Sequence, residues 1–502
     1  MSGAEQARPH VVRSPESGVR SRQSVGAELA RPEPEALEAR SQNRRPKPGA
    51  WSLKPDTYDA IVIGAGFAGL SAAVRLVERG ARVVVFEARR QLGGRATAFR
   101  DRRTGEWVDN GQHLLLGCYR ETLAFLGAIG ARDRVALQPS LEVSFVDRGG
   151  RATTLACPML PSPLHLLGGL LEWDALAGRD RLAALNLIPA VRLALAELRG
   201  GNARAASPGE TVENWLIRNG QTARLREMLW DPLAIAALNQ SPATAAAPYF
   251  SRVLAEMLAA GAEGSAIALP LAPLHLMYAE PARAWLEAHG SHVVAGSPAR
   301  VVIEGGKVRS VATARGAFVA PALVSAVAWH ALPSLFTGEI APLAGLLDAA
   351  SRTAASSIVT VNLWTEGRVL NAPFIGLPGR TVQWVFDKRA IFGRAASHLS
   401  LVSSAADHLG SWTTDAIVRL AVEEVSDALP EMRDNRFVRA TVVRERRATF
   451  SLAPGQPPRP DVRTGIAGLF LAGDWIDTGL PGTIESAVRS GHAAADAAVE
   501  RL

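Results

Sequence analysis

Cysteine is scarce in this sequence. Cys118 and Cys157 are the two cysteines among 502 residues. Two cysteines supply neither a disulfide framework nor the ligand cluster of a structural metal site. We therefore expect no bound metal, and a reducing cytoplasm is the compartment that fits best.

Long apolar runs are lacking too. No stretch reaches the roughly 18–20 residues that a membrane-spanning helix needs. Arg44 and Arg45 look like the start of a twin-arginine signal, but the apolar run that follows is the first strand of the nucleotide site described below. Cleavage there would destroy that site, so we reject an export signal.

The charge balance bears on the class of partner. The net charge is +7, with 48% apolar and 21% charged residues, which is the composition of a globular protein. No DNA- or RNA-binding motif accompanies the positive charge, so we expect no nucleic acid partner. An anionic membrane surface and a merely arginine-rich composition are the alternatives that stay open.

Apolar side chains are missing at the start of the chain. Residues 1–50 contain six prolines, nine Lys or Arg and six Glu, with almost no large apolar residues. Burial there cannot offset the entropy lost on ordering. We expect residues 1–55 to be a disordered arm, either a solvated tail or a weak contact for anionic lipid. The remaining length suggests two or more domains.

The sequence does contain a nucleotide-binding pattern in residues 58–95. An apolar strand is followed by Gly64, Gly66 and Gly69 at G-x-G-x-x-G spacing, then by a small-residue helix and a second strand. The first glycine allows a tight turn, the second lets the backbone approach a pyrophosphate, and the third brings helix against strand. The helix N-terminus attracts the phosphates. Glu87, which ends the second strand, is placed to accept from a ribose hydroxyl. On these residues alone, NAD and FAD both fit.

A second pattern at the far end of the chain favours FAD. Residues 468–474 form an apolar strand that ends in Gly473 and Asp474, and a final helix begins after Pro481 and Gly482. A helix N-terminus stabilises the negative charge that a reduced flavin carries at its N1–C2=O edge, and Asp474 can accept from a ribityl hydroxyl. A nicotinamide enzyme has no reason to return its C-terminus to the cofactor. We therefore predict FAD.

The chain between these patterns changes character twice. Residues 158–198 are leucine-rich and punctuated by proline and glycine. They predict the core of a helical substrate domain or a surface patch that enters one lipid leaflet, and both can hold for different faces. Residues 358–364 and 381–387 alternate as half-buried strands, and with residues 399–403 they predict a second sheet. A return to β-branched strands at 293–327 suggests that distant segments complete the first domain.

Three strings carry a family resemblance: DNGQHLLLGCY at residues 109–119, QWVFD at 383–387, and AGDWIDTGLPGTIESA at 472–487. Together with the pair Gly93 and Gly94 before Arg95, they resemble the FAD-dependent amine oxidase and phytoene desaturase superfamily. Within it they look like the hydroxysqualene dehydroxylases of bacterial hopanoid synthesis. Phytoene desaturases carry a glycine–proline string where this chain has residues 111–113, which disfavours plain carotene desaturation.

The resemblance implies an α/β (α+β) fold. Its Rossmann-like FAD-binding domain, of the glutathione reductase type, is assembled from discontinuous segments at residues 56–157, 290–340 and 460–502. Residues 158–289 and 341–459 then form a membrane-facing substrate domain with a mixed sheet and an apolar helical block. The predicted cofactor contacts are Gly64, Gly66, Phe67, Ala68, Gly69, Glu87, Ala88, Gly94, Arg95, Gln112, His113, Val301, Gly473, Asp474, Gly482, Thr483 and Ile484.

The resemblance also implies the reaction, which is reduction of hydroxysqualene to squalene by hydride from N5 of reduced FAD. A C30 polyene with one allylic hydroxyl needs an apolar tunnel and a proton donor, or surroundings that tolerate an allylic cation. By position, His113 is the predicted acid and Asp387 the second. His113 is alternatively a backbone or flavin contact without proton transfer. Trp384 and Phe386 stabilise positive charge by about 1–2 kcal/mol or form ordinary tunnel wall.

Other functions stay open. One is another flavin enzyme, either an isoprenoid desaturase or an amine oxidase. Amine oxidation needs an aromatic cage and usually a lysine–water pair, which four tyrosines and few lysines disfavour. Another is a non-enzymatic lipid escort protein on the same fold, which has less need of flavin-facing residues at both ends. For the dehydroxylase we expect peripheral contact with the cytoplasmic membrane face and a functional association with squalene-synthase-like enzymes.

Overall fold

The structure is a computed structural model that describes residues 57–202, 204–393 and 397–502. These residues fall in one compact unit. The predicted arm at residues 1–55 lies outside the described residues, so its disorder stays a prediction.

The strands of the described residues are numbered here in chain order. They are β1 Ala60–Ile63, β2 Val83–Glu87, β3 Ala98–Arg100, β4 Trp107–Asp109, β5 Leu115–Leu116, β6 Val135–Leu137, β7 Glu142–Val146, β8 Ala152–Ala156, β9 Ile267–Pro270, β10 His292–Ala295, β11 Ala299–Glu304, β12 Lys307–Thr313, β13 Gly316–Phe318, β14 Ala322–Ser325, β15 Phe336–Gly338, β16 Ala355–Thr365, β17 Phe374–Gly376, β18 Trp384–Asp387, β19 Ser397–Ser403, β20 Phe437–Phe450 and β21 Leu469–Leu471.

The α-helices of the described residues are numbered in the same way. They are α1 Phe67–Glu78, α2 Arg120–Ala128, α3 Leu164–Glu172, α4 Gly178–Ala184, α5 Ile188–Leu198, α6 Val212–Arg218, α7 Ala223–Leu225, α8 Asp231–Leu238, α9 Ala247–Ala259, α10 Glu280–Ala288, α11 Ala344–Arg352, α12 Lys388–Phe392, α13 Thr414–Ala428, α14 Pro430–Arg433 and α15 Ile484–Val499. Two π-helical turns, Arg226–Trp230 and His275–Ala279, precede α8 and α10.

A five-stranded parallel sheet carries the nucleotide pattern, in the order β10-β2-β1-β14-β21. In its centre Ile63 of β1 lies between Phe86 of β2 and Ser325 of β14. All residues of β1, β2 and β14 are buried, as expected for a parallel sheet that is covered on both faces. Because β14 and β21 come from far along the chain, the prediction that distant segments complete this sheet is confirmed.

The two sequence patterns converge at one edge of this sheet. β1 and β21 both run parallel to β14, so the chain leaves them at the same edge and enters α1 and α15 from there. These two helices pack together at Gly491, where an added Cβ would lie 2.4 Å from the carbonyl oxygen of Ala68. The absence of a side chain at residue 491 permits that approach.

The predicted second sheet is also present, with seven strands in the order β20-β16-β19-β18-β17-β7-β8. Side chains of β16 alternate between its two faces. Val361 and Leu363 join an apolar cluster with Ile417 of α13, while Asn362 between them is also fully buried. One face of the sheet is thus an apolar core, and the other face, which carries Asn362 together with Phe386 and Phe374, is directed toward the rest of the molecule.

The β7–β8 hairpin joins this second sheet, because Phe145 of β7 pairs with Gly376 of β17. The predicted boundaries instead place residues 142–156 in the FAD-binding domain. The physical reason for the difference is burial: Val143, Phe145 and Leu155 belong to the apolar cluster around the cavity described below. The domain boundaries stay a prediction, and this pairing favours moving the hairpin to the substrate side.

Candidate active site

The turn after β1 needs glycine at two positions. Gly64 has φ +106°, a conformation that L side chains rarely adopt, and an added Cβ would lie 2.8 Å from the carbonyl oxygen of Ala326. An added Cβ at Gly69 would lie 1.9 Å from the carbonyl oxygen of Gly64. The backbone itself therefore demands both glycines, whose part in cofactor binding stays a prediction.

Two glycine loops face each other at the N-terminus of α1. Gly66 is the N-cap of α1, and an added Cβ on Gly94 would lie 3.4 Å from the Cα of Gly66. The N–H of Gly93 donates to the carbonyl oxygen of Ala65 at 2.8 Å, which holds the loops together. Missing side chains thus leave a cradle in front of free helix N–H groups, which bind phosphates. The residues present fit the pyrophosphate of FAD.

Glu87 ends β2 beside this cradle. Its carboxylate accepts from the N–H of Ala65 at 2.8 Å and from the N–H of Arg89 at 2.9 Å. These bonds orient the side chain, and a carboxylate has further lone pairs for a ribose hydroxyl. Ala88, the next predicted contact, is exposed.

Three other predicted contacts have their own structural roles. Phe67 and Ala68 are the first residues of α1 and are buried, and the Phe67 ring stacks on Tyr278 at 3.5 Å between centroids. Val301 is fully buried in β11, and its N–H already donates to the carbonyl oxygen of Leu335 at 2.9 Å. Their cofactor contacts stay predictions, and for Val301 the backbone donor is already in use.

An ion pair joins the two ends of the chain. The Arg95 guanidinium donates to the carboxylate of Asp474 at 2.5 Å and to the carbonyl oxygen of Ala448 at 2.8 Å. Burial lowers the pKa of Arg95, but Asp474 outweighs burial and raises it, so the group stays charged. Gly473, before Asp474, donates its N–H to the hydroxyl of Ser490 in α15 at 2.9 Å. The sequence predicts Arg95 and Asp474 as cofactor contacts but not their pairing.

The N-terminus of α15 forms the other part of the site. Thr483 caps the helix, because its hydroxyl oxygen accepts from the N–H of Ser486 at 3.1 Å. Ile484 is the first helical residue. An added Cβ at Gly482 would lie 3.3 Å from the carboxylate of Asp474, which places this loop next to the ion pair. The predicted helix start is confirmed, and its contact with the flavin stays a prediction.

A buried lysine, which the sequence analysis does not predict, lies next to the loop that carries Gln112 and His113. Lys388 is 1% exposed, and its ammonium donates to the carboxylate of Asp109 and to the side-chain oxygen of Gln112. Asp109 is 3% exposed and also accepts from the N–H of Leu274 at 3.0 Å. Buried charges require such partners. The cluster fixes α12 to the loop that carries Gln112 and His113. One available signal was a rare lysine directly after an apolar strand.

His113 does not have the geometry of a proton donor. Its Nδ1 lies 3.0 Å from the carbonyl oxygen of Gly111, and since a carbonyl only accepts, Nδ1 carries the hydrogen. Burial lowers the pKa of His113, so the neutral ring presents its other nitrogen as an acceptor. The acid role stays a prediction, and these contacts favour the alternative of a positional contact.

The other two predicted catalytic residues have different surroundings. Asp387 is 1% exposed and caps α12, accepting from the N–H of Arg389 at 2.9 Å and of Ala390 at 3.2 Å. It also pairs with the Arg389 guanidinium at 3.1 Å, so these contacts account for it as a cap rather than an acid. Trp384 lines the cavity, with its ring 6.1 Å from that of Phe145. Both catalytic assignments stay predictions.

A cavity of about 960 Å³ lies beside these elements. Its wall is mainly aliphatic and comes from α3, α5, α8, α9 and the β7–β8 hairpin. Thr483 and Glu485 at the start of α15 also line it. The apolar space therefore reaches the helix end at which the flavin ring is predicted.

Comparison with known proteins decides the family. The model of the family described as flavin containing amine oxidoreductase matches residues 67–499. A hydroxysqualene dehydroxylase of Sinorhizobium fredii is 31% identical over 449 residues, which cover 87% of this chain and 97% of that protein. The chain belongs to the hydroxysqualene dehydroxylase family.

Other similarities agree with that family. A hydroxysqualene dehydroxylase of Zymomonas mobilis is 28% identical over 450 residues, covering 87% of this chain and 98% of that protein. A solved oxidoreductase structure from Methanosarcina mazei aligns with a TM-score of 0.67 at 15% identity, over 87% of this chain and 99% of that one. The latter likeness shows the shared fold.

Membership of the hydroxysqualene dehydroxylase family confirms three predictions. The fold class is α/β with a nucleotide-binding sheet, the cofactor is FAD, and the protein is an oxidoreductase. The non-enzymatic escort alternative is wrong. Across residues 57–202, 204–393 and 397–502, no helix is both long and apolar enough to cross a bilayer.

Proposed function

We propose that this protein reductively removes the hydroxyl group of hydroxysqualene and releases squalene. The observation that carries the proposal is the apolar cavity of about 960 Å³ that reaches the N-terminus of α15. Its FAD, once reduced, supplies the hydride. The alignment with two relatives named hydroxysqualene dehydroxylase extends over 98% and 97% of their length, which supports the same substrate here.

The cavity has the chemistry that a long polyene needs. Aliphatic side chains from four helices form most of the wall. Binding therefore removes the hydrocarbon surface of the substrate from water, which is favourable by about 25 cal/mol of free energy per Å² of buried area. Polar groups are few, and several of them, Tyr119, Thr483, Glu485 and Arg489, belong to the part of the wall around α15. An apolar chain with one hydroxyl is oriented by such an arrangement, with the hydroxyl toward the polar part.

Trp384 is proposed to stabilise positive charge as the C–O bond breaks. Its indole lines the cavity, and the rings of Phe145 and Phe374 lie 6.1 and 6.3 Å from it. A cation over an aromatic face gains about 1–2 kcal/mol when it is desolvated. An aromatic wall therefore favours an allylic cation without offering it a nucleophile.

We infer that the outer face of residues 158–198 contacts the cytoplasmic membrane surface peripherally. Met159 is 76%, Leu182 64% and Leu171 50% exposed, and none of them lines the cavity. Inner residues of the same segment, such as Leu170, line the cavity, so both expectations for this segment have support on different faces. Exposed apolar side chains of this kind enter one leaflet beside the headgroups. If the cavity opens toward this membrane-facing surface, its mouth admits a substrate that is insoluble in water.

We also infer a functional association with squalene-synthase-like enzymes. A C30 substrate does not diffuse freely through water, because its hydrocarbon surface favours an apolar phase. Transfer through the bilayer, or directly between neighbouring enzymes, is therefore the route that the cavity mouth serves.

The test is a single turnover with hydroxysqualene under anaerobic conditions. Chemically reduced holoenzyme should form squalene, detected by mass spectrometry, as the oxidised-flavin absorbance returns. Ala237→Trp fills the cavity from α8 and should abolish squalene formation while FAD stays bound. Ala344→Trp, at an exposed position on α11, is the matched control and should behave like wild type. Flavin reoxidation without squalene would contradict the proposal.

A further inference from the structure

Loss of a hydroxyl group needs a proton for the departing oxygen, and His113 is poorly placed to give it. Its protonated nitrogen faces the carbonyl oxygen of Gly111, and the His113 ring does not line the cavity. The donor must therefore be sought among polar groups on the cavity wall.

Tyr119 lies on that wall. It precedes α2 and packs against both the apolar cluster around the cavity and the cluster beneath the nucleotide sheet. The first turn of α2 is bonded to α15, because the N–H groups of Glu121 and Thr122 donate to the Glu485 carboxylate at 3.1 and 3.0 Å. The phenol therefore lies where the cavity meets the helix end that faces the predicted flavin ring.

The two carboxylates and one serine of the wall already have partners, and the arginines on the wall keep their protons. Glu256 is salt-bridged to Arg489 at 3.0 Å, and Glu485 is bridged to the same guanidinium at 3.4 Å, so both carboxylates act as acceptors. The hydroxyl of Ser265 donates to the carbonyl oxygen of Ala262 at 3.0 Å. Among the remaining uncharged groups, a phenol is a better hydrogen-bond donor than the thiol of Cys118 and ordinarily a stronger acid than the hydroxyls of Ser162 and Thr483.

The other tyrosines are elsewhere. The hydroxyl of Tyr58 bonds to His292 at 3.0 Å, and that of Tyr278 donates to the carbonyl oxygen of Gly93 at 2.7 Å. The ring of Tyr249 lies under the guanidinium of Arg459, 5.1 Å from its carbon. None of these three lines the cavity. Tyr119 is thus distinguished by place as well as by chemistry.

We propose that the hydroxyl of Tyr119 binds the hydroxyl group of the substrate and gives it the proton with which it leaves as water. This inference rests on the proposed function. The C–O bond breaks, the oxygen departs as water with the phenol proton, and the carbon gains the hydride that reduced FAD supplies. Carbon is reduced by two electrons and FAD is oxidised by two. A proton from solvent then restores the phenol.

The surroundings keep the phenol protonated until it is needed. Burial raises the pKa of Tyr119, and Cys118 and Glu485 raise it further, while a hydrogen bond from Thr483 opposes them. The thiol of Cys118 is a weak donor, and burial raises its pKa to about 12. The phenol is therefore neutral over the whole working pH range.

The experiment compares Tyr119→Phe with Tyr249→Phe in holoenzyme that retains FAD. General acid catalysis is worth about 10²–10⁴-fold, so single-turnover squalene formation should fall by at least about a hundredfold in Tyr119→Phe alone. A second readout needs no turnover: binding of hydroxysqualene and of squalene to the oxidised enzyme. Loss of one hydrogen bond should weaken hydroxysqualene about fivefold and leave squalene unchanged.

The outcomes separate the two proposals. If wild type makes squalene and Tyr119→Phe is slowed less than about tenfold, the donor assignment is wrong. If Tyr119→Phe weakens the alcohol and the hydrocarbon equally, the residue is only wall, and the inference is overturned. If wild type makes no squalene, the proposed function fails. The binding comparison still decides in that case whether Tyr119 recognises an alcohol.

Discussion

The sheet edge at which β1 and β21 lead into α1 and α15 is the predicted cofactor edge. Backbone meets backbone there at glycines, whereas the cavity is enclosed by aliphatic side chains. An added Cβ at Gly69 or Gly491 would lie only 1.9 or 2.4 Å from a carbonyl oxygen. The cavity instead keeps about 960 Å³ of open space between leucine-rich helices. One region therefore has no room for a methyl group, and the other has room for a substrate.

The difference separates two kinds of requirement. The glycine loops and the Arg95–Asp474 pair hold two distant chain segments in one geometry, so a change there should disturb the fold and FAD binding together. The cavity wall is held by apolar contacts that tolerate exchange of volume. Changes there should leave FAD bound and alter the substrate or the membrane contact. The predictions below test this contrast, starting with the largest effect.

Lys388→Met should be the most destabilising. It leaves the buried Asp109 carboxylate without its ammonium partner, and breaking one side of a buried ion pair costs about 3–5 kcal/mol. Urea unfolding, followed by circular dichroism, measures the loss. Lys307→Met removes an exposed lysine from β12 and should change stability by less than about 0.5 kcal/mol. Equal effects of the two variants would show that Asp109 finds another partner.

Gly69→Ala should have the second largest effect, on both the stability of the fold and its FAD content. The new methyl group meets the carbonyl oxygen of Gly64, so α1 must move away from the turn. Overpacking of this kind costs about 1–3 kcal/mol, and we expect purified protein with much less than one FAD per chain. Flavin absorbance and thermal unfolding measure both effects.

Gly127→Ala is the control for that variant. Nothing lies within 4 Å of an added Cβ at Gly127 in α2, and alanine favours a helix by about 0.5–1 kcal/mol. It should retain one FAD per chain and unfold at a slightly higher temperature. Full FAD in Gly69→Ala would contradict the claim that the cofactor edge has no room.

Glu256→Gln should have a small, pH-dependent effect on the free energy of unfolding. Burial raises the pKa of Glu256, but Arg489 and Arg252 outweigh it and lower the pKa below its ordinary 4.5. A carboxyl group with a lowered pKa stabilises the fold above its unfolded pKa, and this contribution is lost as the pH falls through the lower folded value. Wild type should therefore lose more stability than the variant below about pH 4.5.

The gap between wild type and Glu256→Gln at pH 7 should stay near or below about 1 kcal/mol, as for partly exposed pairs. Thermal unfolding at a series of pH values measures it. Glu172→Gln, at an exposed position without a salt bridge, should follow wild type at every pH. A gap that widens toward low pH would refute the assignment of the shift to Arg489.

The contrast also explains how much could be predicted from sequence. The cofactor edge is encoded locally: glycine spacing, the acid that ends β2 and the start of α15 are visible as short strings, and the structure has them at one sheet edge. The second sheet follows from strand alternation. Such signals lie within a few residues of one another, so no tertiary information is needed to read them.

The rest depends on contacts between distant residues. Lys388 meets Asp109 across 279 positions, and Arg95 meets Asp474 across 379. A sequence cannot indicate which carboxylate a cation will find. The same limit applies to the proton donor: the string at residues 109–119 predicts His113 by its position, whereas the proposed donor, Tyr119, owes its place to the meeting of α2, α15 and the cavity wall. The hairpin β7–β8 likewise takes its place from burial of its apolar face.

The smallest effect on stability, and the sharpest test of the membrane contact, is expected for Met159→Ser with Leu182→Ser, since neither side chain lines the cavity. Both side chains are more than half exposed, so unfolding should shift by less than about 0.5 kcal/mol per site. If these side chains enter a leaflet, their loss makes the free energy of partitioning into the membrane less favourable by roughly 1.5 kcal/mol, which weakens the affinity for liposomes about tenfold. Flotation with anionic vesicles measures it.

Val319→Ser is the matched control for the membrane variant. Val319 is 46% exposed and lies between β13 and β14, outside the 158–198 segment, so its loss should leave flotation unchanged. The variant pair should also keep squalene formation from detergent-dispersed substrate while losing it from vesicles, because only the second route needs the docked mouth. Equal flotation of both variants would place the membrane contact elsewhere and leave residues 158–198 as cavity wall alone.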